Sequence, residues 1–177
     1  DQNPSKNFLK KVRDITLKNN IVLIFDECTS AFRENFGGIH LKYNITPDLA
    51  MFGKALGNGY PITAVIGKSK IMKELSDSFV SSTFWSDRVG PAAALATLKK
   101  MENIQSWKIL DELSNYMRKC LMQIPKSNYF DFSPEGIKSN LSFNFKNRMY
   151  EKLFINLMLS SNILSSSRCY LSTKHTK

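Results

Sequence analysis

Ile21-Val22-Leu23-Ile24-Phe25-Asp26-Glu27 is five apolar residues, three of them β-branched, stopping at two carboxylates. An unbroken run of that kind predicts a strand buried on both faces, in the manner of parallel sheets. A glycine-bearing loop follows. Then comes Pro47-Asp48-Leu49-Ala50-Met51-Phe52-Gly53-Lys54, a second apolar run that also ends on a charge, and a turn-forming Gly57-Asn58-Gly59-Tyr60-Pro61. Two strands thereby bring a carboxylate, Asp26, and an amine, Lys54, to one sheet edge. Ligands of open α/β sheets bind outside the carboxyl ends of the strands, so the pair marks a candidate site.

Several blocks in this region occur in a recognisable order: Ile24-Phe25-Asp26-Glu27 with Phe32-Arg33, Thr46-Pro47-Asp48-Leu49, Phe52-Gly53-Lys54-Ala55 and Gly57-Asn58-Gly59-Tyr60-Pro61. Together they resemble the class III aminotransferases, enzymes dependent on pyridoxal 5'-phosphate, and most closely the glutamate-1-semialdehyde aminomutase-like branch. Lys54 follows Asp26 by 28 positions, similar to the family's spacing. The likeness is strong from Ile21 to Leu98 and weak after Pro125. One departure is Ala31, where the family usually has glycine before Phe-Arg. If that position needs positive φ, alanine there costs about 1–2 kcal/mol.

The resemblance implies roles for particular residues. Lys54 would be the catalytic amine, holding the cofactor aldehyde as a Schiff base and shuttling a proton as general acid and base. Asp26 would keep the ring nitrogen protonated so that the ring can absorb electrons. Thr83, in Ser81-Ser82-Thr83-Phe84, matches the position that offers a hydroxyl and amide to a cofactor phosphate, usually that of a neighbouring subunit. The cofactor-binding set is therefore Asp26, Lys54 and Thr83. Glu27, one residue on, points to the opposite face of its strand and is expected to serve structure. Gly53 is expected to let backbone approach the cofactor, and Gly57 and Gly59 to supply positive φ. Arg33 and Arg88 are weaker candidates for a substrate carboxylate. His40 and His175 read as loop and tail residues without a triad around them.

Composition narrows the alternatives. The chain has 177 residues, 42% of them hydrophobic, with a net charge of +10. That hydrophobic fraction suits a buried core rather than a disordered segment. Its 25 basic residues are dispersed, with no run of five and no interleaved aromatics, which argues against nucleic acid as a partner. Cys28, Cys120 and Cys169 form no CxxC pair and have no histidine at ligand spacing, so no metal is expected and the thiols read as reduced. No stretch approaches the ~20 apolar residues of a membrane span. A cytoplasmic location is the resulting expectation, and the start at Asp1 suggests a fragment whose upstream part would carry the phosphate loop.

The rest of the chain predicts alternating elements. Asn3-Pro4 reads as a cap and first-turn proline for a helix with Phe8, Val12 and Ile15 on one face, ending near Asn19-Asn20. Ile62 to Gly67 is a third strand, Lys70 to Leu75 a short helix and Phe79 to Phe84 a fourth strand. Arg88 to Asn103 is a helix using Leu95, Leu98 and Met101. Ser106 is expected to cap a further helix through Trp107, Leu110, Leu113, Met117, Leu121 and Ile124, stopped by Pro125. Beyond it, strands at Tyr129–Phe132 and Leu141–Phe145, a helix near Tyr150–Ser160 and Ile163-Leu164 read as α+β.

The whole is expected to be α/β: part of a fold-type-I large domain with a mixed or parallel sheet over residues 1–105, then most of a small α+β C-terminal domain over 106–177. The expected activity is pyridoxal-phosphate-dependent transfer of an amino group, by transamination or an intramolecular aminomutase reaction, on small amino or oxo acids. A homodimer sharing its sites across the interface is implied by the family. The rival is a non-catalytic fragment that folds or dimerises but lacks a complete cofactor site.

Overall fold

The computed structural model describes residues 5–125 and 127–176. It divides into two compact units, one reaching Trp107 and the other starting at Lys108. Among the described residues, no helix is long and apolar enough to cross a membrane.

The first unit is built on a three-stranded sheet. Helix α1 (Lys6–Lys18) leads to β1 (Ile24–Asp26), then α2 (Ile39–Tyr43), β2 (Leu49–Phe52), β3 (Ala64–Gly67), α3 (Ser69–Met72) and α4 (Val89–Ile104). The order is β1-β2-β3, with β1 parallel to β2 and β3 antiparallel to β2. Register pairs Asp26 with Met51 and Met51 with Val65. These three residues therefore share a face with Ile24, and Phe25, Ala50, Phe52 and Ala64 share the other.

Only the second face is covered. Ala50 and Phe52 are buried, in a core with Ala31, Phe32, Leu56 and Ala94. Ile24, Met51 and Val65 remain exposed. The expectation of strands buried on both faces is thus corrected: α1, α2 and α4 pack against one side of the sheet. Gly90 lets α4 come close, since a Cβ there would stand 3.1 Å from the Pro61 carbonyl oxygen. Leu98 and Met101 pack on the core while Leu95 is exposed, so the buried stripe runs through Gly90 and Ala94 instead.

Helix α1 likewise turns a different face inward. Phe8 and Ile15 are exposed, and Leu9, Arg13 and Thr16 are buried. The cause is electrostatic. Arg13 Nη1 donates to Asp48 Oδ2 at 2.9 Å, an oxygen that also accepts from the Leu23 amide at 2.8 Å, while Lys68 Nζ lies 2.7 Å from Oδ1. A cation on the inward face has to be paired, and Asp48 holds Arg13 there. Ser5 caps α1 by accepting from the Phe8 amide. Asn3 and Pro4, read as the cap from the sequence, lie outside the described residues.

Residues 76–88 form loop and turns, not the expected fourth strand, and Phe79 is almost wholly exposed. Apolar composition alone does not make a strand where no neighbour supplies a ladder.

The second unit holds most of α5 (Ser106–Met122), β4 (Phe130–Glu135), β5 (Asn140–Phe145), α6 (Arg148–Ser160) and β6 (Arg168–Tyr170). Ser106 opens α5 without acting as a cap, its buried hydroxyl having no hydrogen bond among the described residues. Strand β5 is central and antiparallel to both neighbours. Leu141 is wholly buried, and Phe154 of α6 meets Phe143 and Phe145 at ring separations of 6.1 and 5.3 Å. Asn147 caps α6 through the Met149 and Tyr150 amides. Ile163 and Leu164 fall in the exposed chain after α6.

Two outcomes follow for stability. Burial pushes the Asp48 carboxyl upward, but the Leu23 amide, Lys68 and Arg13 outweigh it and hold it at about 2, against an ordinary 3.8. A folded value below the unfolded one means stability present above pH 4 and lost as pH falls toward 2, about 2 kcal/mol in all. Urea unfolding of the chain across that range shows this slope, and Asp48→Asn removes it. Asp48→Ala costs about 3–5 kcal/mol by stranding Arg13. In the second unit, Leu141→Ala costs about 2–5 kcal/mol, read as a loss of at least about 30-fold in hydrogen-exchange protection of the β5 amides.

Candidate functional site

Because β1 and β2 are parallel, their carboxyl ends lie at one edge of the sheet, and the chemistry-bearing residues gather there. Asp26 closes β1 with an exposed side chain. Its Oδ1 accepts from the Cys28 amide at 3.0 Å. The Cys28 amide, then its thiol, and to a lesser degree Lys54 lower the Asp26 pKa against a small opposing effect of burial. Burial and the neighbouring carboxylate in turn push the Cys28 thiol up, with Lys54 opposing.

Glu27 turns the other way and is 2% exposed. Its Oε1 accepts from the His40 amide at 3.0 Å and lies 3.1 Å from His40 Nδ1, and Ser30 Oγ donates to Oε2. Burial pushes Glu27 upward, yet the bonds from Ser30 and the Ile39 and His40 amides dominate and leave its pKa lowered. His40 is therefore no idle loop residue: it belongs to α2, anchors Glu27 and meets the Phe52 ring edge-on at 6.3 Å. Glu27 holds the loop after β1 to the body of the unit, and the structural role expected of it matches this geometry.

Lys54 begins a 3-10 turn, Lys54–Leu56, just past β2. Its φ is +47°, a left-handed conformation costing about 1 kcal/mol or more in a non-glycine residue. Buried Phe52 and Leu56 on either side hold the backbone there. Lys54 Nζ donates to Thr29 Oγ1 at 2.6 Å. Gly59 has the expected positive φ, whereas Gly57 is right-handed and is needed for space: a Cβ would sit 2.2 Å from the Tyr60 carbonyl oxygen. The non-glycine residue at positive φ in the loop after β1 is Phe32, at +62°, so Ala31 is unstrained and simply buried.

Thr83 lies in an exposed turn over 83–86, and among the described residues no hydrogen bond joins it to Asp26 or Lys54. Arg33 is half-buried and engaged within the fold, and Arg88 is exposed at the start of α4. Sequence reasoning treated Cys28 as incidental and passed over Thr29. A hydroxyl three residues beyond a strand end carries no periodic signal of its contact with a lysine 25 positions away.

An exposed amine that donates to a neutral hydroxyl, beside a carboxylate with a lowered pKa, is a donor set that would suit pyridoxal phosphate: one group for the aldehyde, one for the ring nitrogen. Among the described residues no cluster of three or more histidine, cysteine or acidic side chains gathers as a metal site would require.

Comparison with known proteins agrees with this chemistry. Residues 1–132 match the family model for class-III aminotransferases. The chain is 36% identical to a glutamate-1-semialdehyde 2,1-aminomutase of Methanobrevibacter smithii over 80% of its own length and 34% of that protein's. It is 39% identical to a 3-aminobutyryl-CoA aminotransferase of Cloacimonas acidaminovorans over 71% of its length and 30% of that protein's. Its fold superposes on ornithine aminotransferase from Plasmodium yoelii with a TM-score of 0.84 at 26% identity, covering 98% of this chain and 49% of that one. The chain thus spans about a third of the length of these curated relatives, and its architecture is that of fold-type-I pyridoxal-phosphate-dependent transferases. A family match across most of the sequence, joined to the shared fold, makes the chain a member of the class-III aminotransferase family.

Proposed function

We propose that the protein carrying this chain moves an amino group within or between small amino or oxo acids, with pyridoxal phosphate as cofactor. The cofactor supplies an electron-withdrawing ring that stabilises negative charge at the substrate carbon. Lys54 would hold the cofactor through its amine and, as general acid and base, would move a proton at the substrate carbon. Asp26 keeps the ring nitrogen charged. Thr83 serves a phosphate across the interface of a homodimer, which its exposed turn leaves it free to do.

The observation that carries this reading is the parallel pairing of β1 with β2, which sets the Asp26 carboxylate and the Lys54 amine at one sheet edge. The left-handed backbone of Lys54 adds support, since strain of this kind concentrates where a side chain has a task.

The bare sheet face of Ile24, Met51 and Val65 favours a second reading for the chain taken alone, a folded module without a complete cofactor site. Equilibrium titration of the chain with pyridoxal phosphate separates the two. Saturable micromolar binding supports residual function, and its absence supports the module. In the whole protein, Lys54→Ala is expected to lower amino-transfer rates by at least about 100-fold. Borohydride reduction followed by peptide mass spectrometry is expected to find the cofactor on Lys54; a cofactor retained on another lysine, with activity unchanged in Lys54→Ala, would reject the assignment.

A further inference from the structure

We propose that Thr29 is a positioning residue whose hydroxyl holds the Lys54 amine in place past the carboxyl end of β2. The inference rests on the reading of Lys54 as the amine that takes the cofactor, and it assigns a role to a residue that the expected chemistry leaves idle.

Lys54 needs such help. Its side chain is exposed, and a four-carbon stem ending in an amine samples many rotamers in water. One end of the stem is fixed by the left-handed backbone at φ +47°, held between buried Phe52 and Leu56. The other end is fixed by Thr29, whose Oγ1 accepts from Nζ at 2.6 Å. A residue held at both ends presents its amine at one point, as a reacting group must.

Thr29 suits that task because its own backbone is tied down. It stands half-buried in the turn after β1, between Glu27 and Ala31, each 2% exposed. The Glu27 amide donates to the Met51 carbonyl at 2.9 Å and the Ala31 amide to the Glu27 carbonyl at 2.9 Å, so the turn leaves the sheet in register and closes on itself. This turn also comes close to the end of β2, since a Cβ on Gly53 would stand 3.4 Å from Cys28 Sγ. The chemistry of the partner matters as much as its place. A carboxylate would favour the charged amine, whereas a hydroxyl, donor and acceptor at once, accepts from an ammonium and donates to a neutral amine. Lys54 can therefore give up or regain a proton without losing its partner.

The test compares Thr29→Val, which keeps the shape and loses the hydroxyl, with Thr29→Ser, which keeps it. In the chain without cofactor, side-chain order at Lys54 Cε is measured by carbon-13 relaxation, with exposed Lys70 of α3 as the internal reference. Lys54 is expected to be more ordered than Lys70 in the parent and in Thr29→Ser, and to fall to the Lys70 level in Thr29→Val; Thr29→Ala replaces the valine variant if circular dichroism shows the latter unfolded. Order equal to that of Lys70 in the parent, or unchanged in the valine or alanine variant, overturns the proposal. In the whole protein stripped of cofactor, uptake of pyridoxal phosphate at Lys54 is then compared with binding of pyridoxamine phosphate, which has no aldehyde for an amine to join. Thr29→Val is expected to slow the first about 3- to 10-fold and to leave the second as in the parent, with Thr29→Ser keeping the parent rate. A rate unmoved in Thr29→Val, or equal weakening of both ligands, counts against a positioning role. If the parent takes up neither ligand while Lys54 order still depends on the hydroxyl, the cofactor reading fails and the hold on Lys54 stands.

Discussion

A single carboxylate, Asp48, sets the geometry of the first unit. It sits at the entry to β2 and takes Arg13 from α1, Lys68 from just beyond β3 and the amide of Leu23 from just before β1. Its backbone adds to the same knot: the Asp48 amide donates to the Leu23 carbonyl and its own carbonyl accepts from the Lys68 amide. Helix and strands that are far apart in sequence are thereby held in one register. A buried ion pair contributes little net energy, since desolvation offsets most of the attraction, but any arrangement that breaks it strands a charge in the interior. Its worth lies in excluding alternatives.

That register carries through to the candidate site. With β1 and β2 locked in parallel, Asp26 lies opposite Met51, three residues before Lys54. A slip by one residue would turn Asp26 onto the helix-covered face and expose Phe25. The turn beyond β2 is held in the same way, Phe52 and Leu56 anchoring a left-handed Lys54 between them. Glu27 fixes the other side by tying the loop after β1 to α2. Both candidate groups are thus exposed side chains on backbones defined by buried neighbours, as a site demanding fixed geometry needs.

What could be read from the amino acids was the family and most of the larger elements. The apolar run ending in Asp26-Glu27 and the Gly53-Lys54 block announced themselves through abrupt changes of polarity. The inward faces of the helices did not. Hydrophobic periodicity favoured Phe8, Val12 and Ile15, because nothing local reveals that Arg13 has a buried partner 35 residues away. The same blindness to tertiary partners produced a strand at Phe79–Phe84, where β-propensity is high but no strand lies alongside, and hid β6, whose three residues pair with β5 without any pattern of their own. Glycine reasoning failed at Gly57 for a related cause. The requirement there is a close approach to the Tyr60 carbonyl, which steric context and not φ imposes.

The uncovered sheet face connects the fold to the chemistry. Asp26 shares it with Ile24, Met51 and Val65, three apolar side chains in contact with water. While the face is open, the carboxylate is solvated and needs little more than the Cys28 amide to stay charged. Whatever covers the apolar residues also strips water from Asp26, and an unpaired carboxylate out of water costs several kcal/mol. Covering the face is therefore compatible with a charged Asp26 only if a cation arrives with the cover. Lys54 donates its hydrogen bond to Thr29 and acts on this carboxylate only through its charge, so a cationic group bound here would add to it. A protonated aromatic nitrogen would meet that demand.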